Sequence, residues 1–403
     1  MKIGSDHLTY STLVHAGDNW DEIWASVQTY LPQVKARVAP NEPFGVSLRL
    51  AAATVQTLLA DPAKRAELRN FFDDNDMYVY TANAFPYGSF KGQRVKEQVY
   101  EPDWRTDARV EYTIGVATLL AELAPEGIAP SIQSVPLGFK PRVTDTSVVD
   151  SYAEHVLKVA AALVDIEART GRTVTFALEP EPMCFLETTA ETIDFFTTRL
   201  FTGAAAERLG ELSGLAAADA HGALRRHVGI VFDPCHQAVE YEDVADALLQ
   251  LRDAGVPVFK LQQASAVHVP EVTPEAVEVL RRYVETVYLT QTYQRRDGEI
   301  ERFLNLDDAI AAWDADPSDE REWRIHFHVP VFLDDLGPFR TTRFAIEESL
   351  AYHAEHPVSR HLEIETYTWD VLPAELKTGD IVEYVSRELE WVRDEIASPA
   401  KAA

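Results

Sequence analysis

The sequence predicts an α/β protein: a (β/α)8 barrel formed as a single domain over residues 1–396. Three observations carry that expectation. Short apolar segments alternate with longer amphipathic ones along the 403 residues, which is the order of βαβ units and of a parallel sheet. The apolar segments are near-continuous runs of Val, Ile, Leu and Phe, as strands covered on both faces require. Roughly eight such units in one chain of this size suit a single closed barrel.

The elements read as follows. A strand at Leu8–His15 precedes the helix DEIWASVQTYLPQVKARV, and Phe44–Leu50 precedes the helical stretch TVQTLLADPAKRAELRNFFDDN. The third strand, Met77–Pro86, leads through a long loop into TDARVEYTIGVATLLAELAP. Pro130–Phe139 is followed by VVDSYAEHVLKVAAALVDIEART. The fifth strand is Val174–Leu178. His227–His236 leads into YEDVADALLQLRDAG, and then come Val256–Ser265, Arg324–Phe332 and His361–Trp369. That makes nine candidate strands, one more than the barrel can hold. Arg324–Phe332 is the one expected outside it, because residues 266–323 before it are long and irregular. That segment contains the hairpin-like YLTQTYQRRDGEIERFLNL and is expected to be an insertion between strands 7 and 8. Residues 397–403 are expected to be a disordered tail.

Composition narrows the partners. Lys plus Arg is 37 and Asp plus Glu is 65, a formal net charge of −28. A chain this acidic lacks the basic footprint of a nucleic-acid binder. No apolar stretch has the length of a transmembrane helix. The two cysteines, Cys184 and Cys235, support neither a disulfide framework nor a Cys-rich zinc site. A reduced, cytoplasmic protein acting on a small-molecule metabolite is the expectation.

In such a barrel the chemistry sits at the C-terminal ends of the strands. Four ends here carry metal-ligand types: Glu179 and Glu181 after the fifth strand, Asp233 and His236 after the sixth, Gln262 on the seventh, and Glu365, two residues beyond Glu363, on the last. Residues two apart on a strand share a face, so His326 and His328 also project together. Three carboxylates and one amide oxygen form a hard set that favours one divalent ion, Mg²⁺ or Mn²⁺, with Zn²⁺ or Co²⁺ suited if a histidine joins. Bound to a hydroxy-carbonyl compound, the ion would polarise the carbonyl, while Glu179 and Glu365 move a proton between adjacent carbons. His15, Asn83 and Tyr87 are further candidates for substrate contact, Tyr87 lying in an aromatic and basic loop with Phe85, Phe90, Lys91, Arg94 and Lys96. Each candidate has a plainer reading. Glu181 also reads as a solvated loop acid, Asp233 as a helix N-cap, and His15, His326 and His328 as packed core residues.

At these residues the chain resembles hydroxypyruvate isomerases and related xylose-isomerase-like TIM barrels: LEPEPMCFLETT, VFDPCH, KLQQ and IETY align with their metal-bearing strand ends. The resemblance implies Glu179, Asp233, Gln262 and Glu365 as ligands, Glu179 and Glu365 as acid and base, and His236 as a substrate contact. A second likeness covers nearly the whole chain. YSTLVHAGDNWDEIWA, FPYGSFKGQRVKEQVY, SVPLGFK, HFHVPVF and ETYTWDVLP resemble the EboE-type metabolite traffic proteins. That resemblance implies a role in handling secondary-metabolite precursors, with partners from the same gene cluster, and makes His326 or His328 a lining residue. Two functions follow as expectations: a metal-dependent isomerase or epimerase, or a carrier that keeps the metal pocket without turnover.

Overall fold

The computed structural model describes residues 1–318, 320–377 and 379–398. Eight parallel strands form the barrel: β1 (Asp6–Tyr10), β2 (Phe44–Arg49), β3 (Met77–Asn83), β4 (Ser131–Ser134), β5 (Thr175–Leu178), β6 (Val228–Phe232), β7 (Val258–Gln263) and β8 (His361–Ile364). Each from β2 to β8 pairs in parallel with the next, and β8 pairs with β1. The ring closes between β1 and β2 through a parallel bridge, Ser11 with Ser47, and the Arg49 N–H that donates to Thr12 Oγ1 at 2.8 Å. Interior side chains such as Val46, Phe176, Ile230 and Leu362 are almost fully excluded from water. Gly229 lets β6 and β7 approach: a Cβ there would lie 2.4 Å from the Pro257 carbonyl oxygen.

Local signals set the boundaries. The helix Thr146–Thr170 starts where Asp145 accepts the Ser147 N–H and stops at Gly171, whose φ of 69° is left-handed. The helical stretch expected after β2 is two helices, Ala52–Ala60 and Pro62–Asp74. Pro62 lacks the N–H that a continuous helix needs, and Asp61 caps the second helix by accepting from Ala63 N–H at 2.9 Å. The first strand is shorter than expected. Ser11 Oγ accepts the Leu13 N–H and starts a 3-10 turn at Thr12–Val14, so His15 does not sit on the strand.

Arg324–Phe332 falls outside the barrel, as its irregular approach suggests. The strand Glu322–Val329 belongs to a second, five-stranded antiparallel sheet with Thr292–Arg296, Glu299–Phe303, Ser265–Val269 and Arg340–Thr341. The excursion between β7 and β8 therefore runs on to Thr341. It is tied to the short helix Pro234–Val239 after β6 by Arg324, which donates to the Ala238 carbonyl at 2.7 Å. This brings His326 and His328 over the C-terminal mouth. Ala397 closes the last helix, Ile381–Ala397, rather than opening a tail, and residues 399–403 lie outside the described ones. Among the described residues, no helix is long and apolar enough to cross a membrane.

Candidate metal centre

The four strand ends meet at one nitrogen. Gln262 Nε2 lies 2.5 Å from Glu179 Oε1, 3.0 Å from Asp233 Oδ2 and 2.9 Å from Glu365 Oε2. Carboxylates from β5, β6 and β8 thus converge on a side chain of β7, and no two of these oxygens are separated by more than twice the longest contact. An amide nitrogen has two protons for these three acceptors. Gln262 Oε1, meanwhile, is buried without a partner among the described residues. Turning the amide over would place that oxygen among the carboxylates and complete a four-oxygen hard set around a shared centre. The residues present fit a divalent ion.

Each acid is held from behind. Glu179 Oε2 accepts from Gln133 Nε2 at 2.5 Å, and Gln133 Oε1 accepts from Lys260 Nζ, which also pairs with Glu363 at 3.0 Å. Asn83 Nδ2 donates to Glu365 Oε1 at 2.7 Å, and Asn83 Oδ1 accepts the Phe85 N–H. Asp233 divides its oxygens: Oδ1 caps the helix Pro234–Val239 through the Cys235 N–H at 2.7 Å, leaving Oδ2 for the centre. Both readings of Asp233, cap and ligand type, thus apply to one side chain.

Burial dominates the electrostatics. It drives the Glu179 carboxyl well above its usual range, with Glu365, Asp233 and Glu181 adding repulsion. Burial, then Glu363 and Asp233, does the same to Glu365. Asp233 is raised to about 6, and Glu181 to about 8 by burial against the counteracting hydrogen bonds from Tyr100 and Gln291. Clustered buried acids of this kind are relieved by a cation.

Glu181 is no solvated loop acid. It is buried, with the Tyr100 hydroxyl donating to Oε1 at 2.8 Å. His236 donates from Nδ1 to the Pro180 carbonyl at 2.7 Å, which leaves Nε2 free 3.7 Å from Asp233 Oδ2. Glu179, Glu181, His236, His326 and Glu365 line one cavity together with Phe85, Phe90, Tyr100, Tyr288 and Tyr367. His328 lies just behind, its ring 4.5 Å from that of Tyr367.

Three expected contacts are not brought to the cavity lining. His15 is stacked on Tyr30, with centroids 4.0 Å apart, and its Nε2 meets the Tyr10 hydroxyl. The loop after β3 folds back so that Tyr87 packs edge-on to Tyr112 beneath the Arg109 guanidinium. Asn83 stands behind Glu365 rather than in the lining. Lys91 is engaged with Asp370 and the Tyr367 carbonyl. Sequence reasoning missed Tyr100 and Gln291, which lie in irregular segments without periodicity. It also missed the Lys260–Glu363 pair, although a charge inside each apolar strand, two residues before Gln262 and Glu365, was a readable signal.

No family model matches the chain, and no curated protein matches it. Among solved structures, it is similar to a xylose isomerase-like TIM barrel protein from Mycobacterium smegmatis in complex with magnesium. That match covers 99% of each chain, with a TM-score of 0.52 and 9% identity. The IolI protein with a binding zinc atom is similar over 98% of this chain and 100% of its own, with a TM-score of 0.49 and 13% identity. The probable 3-DHS dehydratase AsbF from Bacillus anthracis is similar over 95% and 97%, with a TM-score of 0.42 and 11% identity. The first of these likenesses bears on fold. The class that fold defines is the (β/α)8 TIM barrel.

Proposed function

We propose that the protein is a divalent-metal-dependent isomerase or epimerase acting on a small hydroxy-carbonyl metabolite, with Glu179, Asp233, Gln262 and Glu365 holding the ion, Mg²⁺ or Mn²⁺ being favoured. The observation that carries this reading is the approach of three carboxylates from three strands to one Gln262 atom, within 3.0 Å. A bound divalent ion would supply Lewis acidity and a fixed orientation for the substrate's two oxygens.

The chain's own groups supply the rest. Glu179 beyond β5 and Glu365 beyond β8 stand on different walls of the barrel and line the same cavity. One removes a proton from the carbon beside the carbonyl, and the other returns a proton to the neighbouring carbon or to the opposite face of the same one. Gln133 and Asn83 fix the two acids, and His236 presents its free Nε2 to a substrate oxygen. The aromatic lining suits a metabolite with an apolar portion, in keeping with secondary-metabolite precursors.

The test is solvent-deuterium exchange. Protein loaded with Mn²⁺ is incubated in D2O with a panel of hydroxy-carbonyl compounds, and deuterium at the carbon beside the carbonyl is followed by NMR. Exchange by the native chain and its loss in Glu365→Gln support the reading. Saturable binding with no exchange for any compound overturns it and leaves the carrier role.

A further inference from the structure

The two histidines of the strand Glu322–Val329 pose a proton problem. His326 Nδ1 lies 3.1 Å from Gln291 Oε1, and the orientation of that amide is fixed: its Nε2 faces the Pro182 carbonyl at 3.2 Å, the Tyr100 hydroxyl at 3.3 Å and Glu181 Oε1 at 3.4 Å. Turning the amide would set oxygen against a carbonyl and a carboxylate, so Nδ1 of His326 must carry the proton. His328 Nδ1 lies 2.6 Å from the Glu365 backbone carbonyl, which can only accept, so it too carries its proton on Nδ1. Both rings then present a bare Nε2, and these two nitrogens face each other at 3.1 Å. Two lone pairs cannot bond to one another. Something positive belongs between them.

A third donor lies beside them. Cys235 Sγ and nitrogen atoms of His326 and His328 all lie within 4.8 Å of one another, and all three side chains are buried. Two nitrogens bound to one tetrahedral zinc at about 2.05 Å are about 3.3 Å apart, close to the separation found here. We propose that Cys235, His326 and His328 form a second metal site, distinct from the carboxylate centre, that takes a thiolate- and imidazole-seeking ion, Zn²⁺ in the first instance.

An imidazolium is the competing cation, and it would leave the nearby Cys235 sulfur without a role. The donor set is soft, two nitrogens and a sulfur, whereas the neighbouring set is four oxygens, so the two sites sort different metals. None of the three donors belongs to the carboxylate set, although His328 also has a ligand atom within 4.8 Å of those of Asp233 and His236 and so stands between the two centres; the cavity reaches His326 and gives the ion a route in. Binding breaks the Cys235 S–H bond: the thiolate takes its place on zinc and one proton leaves to solvent.

The experiment counts ions. Chelator-stripped full-length protein is reloaded with excess Zn²⁺, desalted and analysed by mass spectrometry of the element, with protein from quantitative amino-acid analysis. The native chain is expected to retain two zinc per chain. His326→Ala/His328→Ala is expected to halve that count, and Glu179→Gln/Glu365→Gln to halve it independently. In cobalt-loaded protein a thiolate-to-metal charge-transfer band is expected, lost in Cys235→Ser and kept in Glu179→Gln/Glu365→Gln. One zinc per chain that disappears with the glutamate variants, or two that persist in the histidine variant with no thiolate band in the native chain, overturns the second site. A count that falls only with the histidine variant overturns the carboxylate centre and leaves this one standing.

Discussion

Exchanging one carboxylate for an amide at Glu365 tests the metal centre directly. Glu365→Gln keeps the volume and removes one of the three charges around Gln262. Because Asn83 donates to the other Glu365 oxygen, the new amide keeps its oxygen there and turns its NH2 towards the ion. A unit charge about 4 Å from a dication is worth roughly 8 kcal/mol at an effective dielectric of about 20, much of it offset by desolvation. A remainder of about 2.7 kcal/mol already weakens binding about 100-fold. Mn²⁺ at about 100 times its dissociation constant stabilises the native fold by about 2.7 kcal/mol. For 403 residues the unfolding entropy is about 0.85 kcal/mol/K, so the melting temperature should rise by about 3 °C. In Glu365→Gln at the same Mn²⁺ concentration the site is about half filled, the gain is about 0.4 kcal/mol, and the rise is about 0.5 °C. Calorimetry with and without Mn²⁺, with Glu375→Gln on the surface as control, reads this out. A full shift retained by Glu365→Gln would refute the assignment of that oxygen to the metal.

Three further outcomes follow from the same structure. Mn²⁺ affinity should fall as pH drops, by about tenfold per unit from Asp233 alone once below its value of about 6, and more steeply because Glu179 and Glu365 are also raised; titration calorimetry at pH 5 and 6 giving equal affinities would contradict it. Glu388, buried and accepting from Thr366 Oγ1 at 2.7 Å, is raised to about 8 by burial. The folded chain holds that proton where the unfolded one has released it, so its contribution to stability is whole below about 4.5 and is lost as pH rises through about 8. Glu388→Gln should thus gain on the native chain between pH 5 and 8, by up to about 4 kcal/mol in denaturant titrations. Tyr87→Ala should lower stability by about 1–3 kcal/mol through its lost packing on Tyr112 and Arg109, with ligand and Mn²⁺ affinity unchanged; a large loss of affinity would return Tyr87 to the cavity.

The barrel was legible because a buried parallel strand is a short apolar run; Arg324–Phe332 imitates one, and the irregular segment before it set it apart. The convergence of Glu179, Asp233, Gln262 and Glu365 was legible for a related reason: position at a strand end, together with the alternation of faces, determines direction. Where that rule stops, reading stops. His15 was read as the end of a strand, but a side-chain bond from Ser11 turns the chain three residues earlier. Tyr87 lies in a loop whose path depends on contacts with Arg109 and Tyr112, one helix away. Gln291, which dictates the protonation of His326, sits about thirty-five positions before it with no pattern linking the two.

The closing seam of the barrel has a consequence for traffic in and out of so enclosed a chamber. Beside the ladders that join every other neighbouring pair, the join of β1 to β2 is slight, resting on Ser11 with Ser47 and on Thr12 with Arg49. Amide deuteration should begin along that edge. The wall bearing Glu179 and Asp233 lies across the ring, whereas Glu365 stands one strand from the zip, so breathing there would loosen that ligand before the other two.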